Sequence, residues 1–96
     1  MTLAALLEEL KVADPGTYEE ISHLEFVGWH QPRNQALDHL QGCIQQACEK
    51  RGWGFMVCNH IADVSAEKDI YDSEIHDYPA EALLAAYIAA VKGEKQ

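Results

Sequence analysis

The segment Pro79-Ala-Glu-Ala-Leu-Leu-Ala-Ala-Tyr-Ile-Ala-Ala-Val-Lys92 reads as a helix that is apolar nearly all the way round. Leu84, Tyr87, Ile88 and Val91 recur at the three-and-four spacing of one helical face, and alanine fills most of the rest. Such a helix has to be covered on more than one side, by the rest of its domain or by a second copy. Pro79 suits the first helical position, and Glu81 places a negative charge in the first turn, where the helix dipole favours it.

The remaining chain reads as the cover. A first helix is expected from Thr2 to Val12, with Leu3, Leu6, Leu7 and Leu10 on one stripe. Asp14-Pro15-Gly16 breaks it, because proline lacks the ladder donor and glycine permits a turn. Thr17-Tyr18-Glu19-Glu20 has capping-box spacing and opens a second helix to about Val27, burying Tyr18, Ile21 and Leu24, with Gly28 as its stop. After the loop Gln31-Pro32-Arg33-Asn34, with Asn34 as N-cap, a third helix runs from Gln35 to Lys50. It turns Leu37, Leu40, Ile44, Ala47 and Cys48 inward. Lys50 and Arg51 complement its negative end, and Gly52 terminates it.

Beyond Gly52 the pattern changes to aromatic and β-branched residues. Trp53–Ile61 is expected to be a buried strand, Asp63–Lys68 a turn or hairpin loop, and Asp69–His76 a second, less buried strand with Tyr71, Ser73 and Ile75 on one face. The predicted fold is α/β (α+β) in the order ααα-ββ-α, one domain over residues 1–96. Its core spans residues 17–93, and the helix within residues 1–13 is peripheral to it. A two-stranded antiparallel sheet is marginal alone, so it is expected between helices: the last helix on one face and the Gln35–Lys50 helix on the other. Two open edges then predict a homodimer that pairs edge strands.

Composition narrows the function classes. The chain has 96 residues, 48% hydrophobic and 24% charged, which suits one folded domain rather than a disordered segment. No apolar run approaches the ~18–20 residues of a membrane span. Met1–Leu10 lacks a basic leader and carries Glu8 and Glu9, so a soluble, cytoplasmic protein is expected. Cys43, Cys48 and Cys58 cannot all pair and lie in apolar patterns, which points to reduced thiols. A net charge of −9 argues against direct nucleic-acid binding, which needs clustered basic residues. It favours a partner with a basic face.

From about Thr17 to Gly93 the chain resembles the phage ABA sandwich domain, an α/β/α family of bacteriophage and prophage genomes. The resemblance is carried by Val27-Gly28-Trp29, the Asn34–Arg51 helix, the Gly52-Trp53-Gly-Phe segment, and Pro-Ala-Glu-Ala-Leu-Leu-Ala-Ala-Tyr of the last helix. It implies a sandwich fold and a phage-derived origin. It implies no activity and no functional residues.

Among chemistry-bearing residues, His39 and Cys43 share a helix flank, while Cys58 and His60 share a strand face, a donor set apt for tetrahedral zinc. The bland alternative is buried thiols that pack as small hydrophobes and histidines without metal, and no metal or other cofactor is expected. Cys58 and His60 are also the nearest thiol–base pair, but residues two apart on a strand project in parallel. No nucleophile elbow or phosphate-cradling glycine loop occurs. The acidic run Asp63, Glu67, Asp69, Asp72, Glu74, Asp77 and Glu81 is opposed by Lys68 alone. It reads as a solvated hairpin edge, or as a surface imitating nucleic-acid phosphates. Trp29, beside His30 in a loop bounded by Gly28 and Pro32, is either a contact residue or a cover for helix ends. The expected role is a non-enzymatic interaction or assembly module. The alternatives are an acidic DNA mimic that inhibits a DNA-binding host protein, and a small-molecule-binding enzyme.

Overall fold

The structure is a computed structural model that describes residues 3–22, 33–67 and 69–94. Its elements follow the order ααα-βββ-α: α1 (Leu3–Ala13), α2 (Pro15–Ser22), α3 (Arg33–Arg51), β1 (Gly54–Val57), β2 (Ala62–Ser65), β3 (Ile70–Asp72) and α4 (Pro79–Glu94). It is a small α+β domain with several helices packed against a short antiparallel sheet.

The apolar helix sits at the centre. Leu83, Leu84, Ala86, Tyr87 and Ala90 of α4 are fully buried, and Ile88 and Val91 nearly so. The sheet covers one side of α4, and α1 and α3 cover the others. Leu6 and Leu10 of α1, Ile21 of α2, and Leu40, Ile44 and Cys48 of α3 meet it in a single core. The predicted layering therefore has to be corrected. α4 takes the middle place assigned to the sheet, and the outer sheet face carries Met56 and Ile70, each 61% exposed. A helix apolar all round needs two covers, and here it takes the sheet as one of them.

The sheet has three strands, not two, in the order β1-β2-β3. The predicted strand Trp53–Ile61 breaks because Cys58 N–H donates to Ile61 O at 2.7 Å, closing a two-residue turn at Asn59 and His60. Asparagine suits such turns because its side chain competes for backbone partners. The first half of the predicted loop Asp63–Lys68 accordingly belongs to β2, paired Phe55 to Val64 and Val57 to Ala62 with β1. The second turn follows, closed by Ala66 N–H to Asp69 O at 2.9 Å. The predicted strand Asp69–His76 is regular only over Ile70–Asp72. At Ser73 the side-chain oxygen, rather than the carbonyl, accepts the Ala62 N–H at 2.9 Å, and the ladder ends.

Helix boundaries also move. α2 begins at Pro15, two residues before the predicted cap. Asp14 is the N-cap: its Oδ1 accepts the Thr17 N–H at 3.3 Å and its Oδ2 accepts the Thr17 hydroxyl at 2.7 Å. Proline at the first helical position is pre-set in φ and loses no intrahelical bond there, so the predicted breaker is a starter. Glu20, assigned to the capping box, instead meets Lys50 at 3.1 Å. α3 starts at Arg33 rather than after Asn34. Its end is as predicted: Gly52 has φ of 74°, with Gly52 N–H to Glu49 O at 3.0 Å and Trp53 N–H to Cys48 O at 2.9 Å. These two bonds form a Schellman cap. The predicted Leu24, Val27, Gly28 and Asn34 features, and the side chain of Leu37, lie outside what is described.

Candidate functional site

Strand alternation decides which side chains face outward. Phe55, Val57, Ala62, Val64 and Tyr71 turn toward α4 and are buried or half-buried, so Met56, Asp63, Ser65, Ile70 and Asp72 turn away. Register places Met56, Asp63 and Asp72 in one row across the three strands, and Gly54, Ser65 and Ile70 in the next. Ile61 and Ile75, 46% and 77% exposed, continue the apolar surface at the end of β2 and after β3. The outer face thus mixes exposed aliphatic side chains with carboxylates.

Asp63 and Asp72 stand directly opposite each other. Ser73 N–H bonds to Ala62 O and Ala66 N–H to Asp69 O, so Asp63–Asp72 falls on the non-hydrogen-bonded pair, where cross-strand side chains come closest. Like charges so placed destabilise a sheet. Neither carboxylate has a cation or hydrogen bond among the described residues. Glu67 and Asp69 at the β2–β3 turn, and Glu74 and Asp77 beyond β3, are also exposed. One member of the predicted run leaves this group. Glu81 is 7% exposed, and its Oε1 lies 4.0 Å from Nδ1 of His76. Lys68 and Trp29 lie outside the described residues.

The sheet edges differ. At β3 the Ile70 N–H donates to Asp69 Oδ1 at 3.0 Å, and the Glu74 carbonyl accepts the Ser73 hydroxyl at 2.8 Å. Of these, the Ile70 N–H faces away from β2, so one outward group of β3 is occupied, which blunts that edge. The Cys58–Ile61 bond fixes the β1 ladder so that the Phe55 and Val57 backbone groups face away from β2. They have no partner among the described residues.

The four metal candidates do not converge. His39 and Cys43 lie with Asp38, Gly42 and Gln46 on one flank of α3, whereas Cys58 and His60 lie at the β1–β2 turn. Among the described residues no three His, Cys, Asp or Glu side chains form a metal-holding group. His60 Nδ1 lies 2.9 Å from the His76 carbonyl, which can only accept, so His60 donates there. No hydrogen bond links Cys58 to His60 among the described residues, so the geometry of an activated thiol is not formed.

Sequence reasoning missed a polar knot on the opposite side of α4. Tyr87 donates its hydroxyl to Asp14 Oδ2 at 2.5 Å, Arg51 Nη2 reaches the same oxygen at 3.2 Å, and Arg51 Nε donates to the Tyr87 oxygen at 3.1 Å. The Arg51 guanidinium also stacks 4.9 Å from the Trp53 ring centre. Burial alone would raise the Asp14 pKa, but hydrogen bonds from Tyr87, Thr17 and Arg51 outweigh it, and the carboxyl sits below its ordinary value. Burial, and then the bond to Asp14, push the Tyr87 phenol up to about 12. Every member is partnered, so the knot ties the α1–α2 junction to α3 and α4. Asp14 and Tyr87 are 73 positions apart, and no local signal announces their contact.

No known protein family, curated protein or solved structure matches this chain. No helix among the described residues is long and apolar enough to cross a membrane.

Proposed function

We propose that this protein is a non-enzymatic interaction or assembly module that binds a protein partner through the outer face of its sheet. The observation that carries the reading is the coincidence there of exposed Met56, Ile61, Ile70 and Ile75 with the opposed carboxylates Asp63 and Asp72. Exposed aliphatic residues supply burial energy, at about 25 cal/mol per Å² removed from water. The carboxylates select the partner by charge. The partner is one whose contact surface has an apolar centre flanked by lysine or arginine. A second copy docked face to face would oppose Asp63 and Asp72 to their own equivalents, and charge disfavours it. Homodimerisation through the free β1 edge is compatible with the same reading, because it leaves the outer face open. A phage or prophage origin rests on the sequence resemblance.

The test compares partners captured from nuclease-treated bacterial lysate by the native protein and by Met56→Asp/Ile70→Asp, at low and high salt. A stoichiometric partner lost with the double variant but kept at high salt supports the apolar module. Equal capture by both proteins overturns the sheet-face reading. A second reading, the acidic DNA mimic, draws on the unpaired Asp63–Asp72 row. It requires a DNA-handling partner that is lost at high salt yet retained by Met56→Asp/Ile70→Asp. A light-scattering mass of one chain at micromolar concentration would remove the homodimer.

A further inference from the structure

The unequal edges of the sheet decide how it can be extended. β3 is three residues long, ends on the charged Asp72 and has its outward Ile70 N–H taken by Asp69 Oδ1. Short, charged and partly occupied edges resist pairing. β1 has none of these protections. Its sequence Gly-Phe-Met-Val carries no charge, and the outward backbone groups of Phe55 and Val57 have no partner among the described residues. The Phe55 and Val57 side chains turn inward yet stay only half-buried, and Met56 on the outer side is exposed. An uncharged strand with open backbone groups and apolar side chains on both faces is a template for another strand.

Symmetry names the occupant, because the outward groups of β1 lie evenly about Met56. A two-fold axis at Met56 sets Phe55 opposite Val57 of a second copy, a pair that exchanges both backbone bonds. Met56 then meets Met56 of the second copy as the non-hydrogen-bonded pair between them. β1 is thus its own complement: aromatic meets β-branched on the inner face, and methionine meets methionine on the outer. Charge permits the approach despite the net −9. Asp63 of each copy comes to lie three strand spacings from the other, about 14 Å, beyond the screening length of about 8 Å at physiological salt. One open edge also closes the assembly at two chains, since a sheet that grows further needs a second.

We infer that the protein is a two-fold dimer joined β1 to β1 about Met56, and that its partner-binding surface is the combined outer face. The row Met56, Asp63, Asp72 then runs through the axis into its counterpart. Paired methionines form an apolar centre with carboxylates on both sides, whereas one copy alone has them on one side of Met56. The partner class sharpens accordingly, to a protein surface with an apolar centre and lysine or arginine on both flanks. The combined surface rests on the sheet-face reading, while the dimer is tested on the purified protein, so each can fail alone.

The experiment combines sedimentation equilibrium of the full chain with oxidation of cysteine probes. At micromolar concentration the mass of two chains is expected. The probes use a Cys43→Ser/Cys58→Ser background that leaves the buried Cys48 in place. There Met56→Cys should form a disulfide-linked dimer about tenfold faster than Ile70→Cys, because only position 56 meets itself across the axis at a disulfide's separation. Met56→Lys sets like charges opposite each other and should weaken the dimer about fivefold at low salt. Ile70→Asp, two strands from the axis, should keep the dimer and lose the captured partner. A single-chain mass, equal cross-linking at positions 56 and 70, or a dimer indifferent to Met56→Lys each overturns the inference. If Ile70→Asp keeps both dimer and partner, the sheet-face reading and the combined surface fall, and the β1 pairing stands.

Discussion

Carboxylates are treated in opposite ways on the two sides of α4. On the helical side, Asp14 accepts from Tyr87, Thr17 and Arg51, and each donor is held by a separate element. On the sheet side, Asp63 and Asp72 face each other with no cation or hydrogen bond among the described residues. The first arrangement joins helices and leaves little chemistry to spare. The second sacrifices some sheet stability and keeps its interaction capacity unspent. The contrast separates a side that holds the fold from the side proposed to meet a partner.

The sharpest way to break this contrast is to show that the two sides matter equally to stability. Tyr87 is fully buried and closes both the core and the knot, so Tyr87→Ala should cost about 4 kcal/mol, as expected for losing a buried aromatic ring. Met56→Ala on the outer face should stay within about 0.5 kcal/mol. Denaturant melts of both variants decide the point, and similar losses would refute the division.

Titration sharpens the helical side further. Tyr87 has an ordinary phenol value of 10.0 and is raised to about 12 in the fold, so the unfolded chain ionises first. Its contribution is fully present below pH 10 and is lost as pH rises to 12, about 3 kcal/mol for the rise from 10.0 to about 12. Cys48, raised by burial from 9.0 to about 11, adds a loss of the same sign beginning near pH 9. Asp14 acts at the other end: its carboxyl is lowered, so its contribution is present above its ordinary 3.8 and fades as pH falls below that. Tyr87→Phe should flatten the loss of stability between pH 10 and 12 and also shrink the acid limb, because the Tyr87 hydroxyl is the foremost hydrogen-bond donor holding the Asp14 carboxyl down. An unchanged alkaline limb in that variant would show that the phenol is not its source.

Gly52 marks a smaller effect on the same side. Its φ of 74° suits glycine, and a Cβ there would meet no atom within 4 Å, so Gly52→Ala tests backbone strain without a clash. The expected loss is about 1 kcal/mol, and a loss below a few tenths would deny the Schellman cap its role.

What could be read from the sequence follows the range of the interactions involved. α4, the inward face of α3 and the Gly52 stop are local patterns, set by helical period and by one residue's conformational freedom. The three-strand meander was hidden because apolar residues flank Asn59 and His60 on both sides and no glycine or proline marks the turn there. The Asp14 cap was hidden by a rule applied at the wrong end, since proline stops one helix and starts the next. The acidic run was visible, but the burial of Glu81 was not, because facing His76 depends on how the chain turns into α4. The knot and the Glu9–Lys92 ion pair join α4 to the first helices, some seventy or more residues earlier, and no pattern of spacing reports such contacts.

The smallest effect separates fold from function most cleanly. Asp63 sits mid-strand with a carboxylate opposite it, and threonine is a better strand residue that removes the repulsion. Asp63→Thr should therefore stabilise the protein by about 0.5 kcal/mol, a gain that shrinks in high salt as the native repulsion is screened. The same change removes one of the charges proposed to select a basic partner, so binding should weaken while stability rises. A residue kept only for the fold would not show that opposition. If Asp63→Thr weakens both folding and binding, the carboxylate has a structural partner, and the outer sheet face loses its claim to be the surface held in reserve.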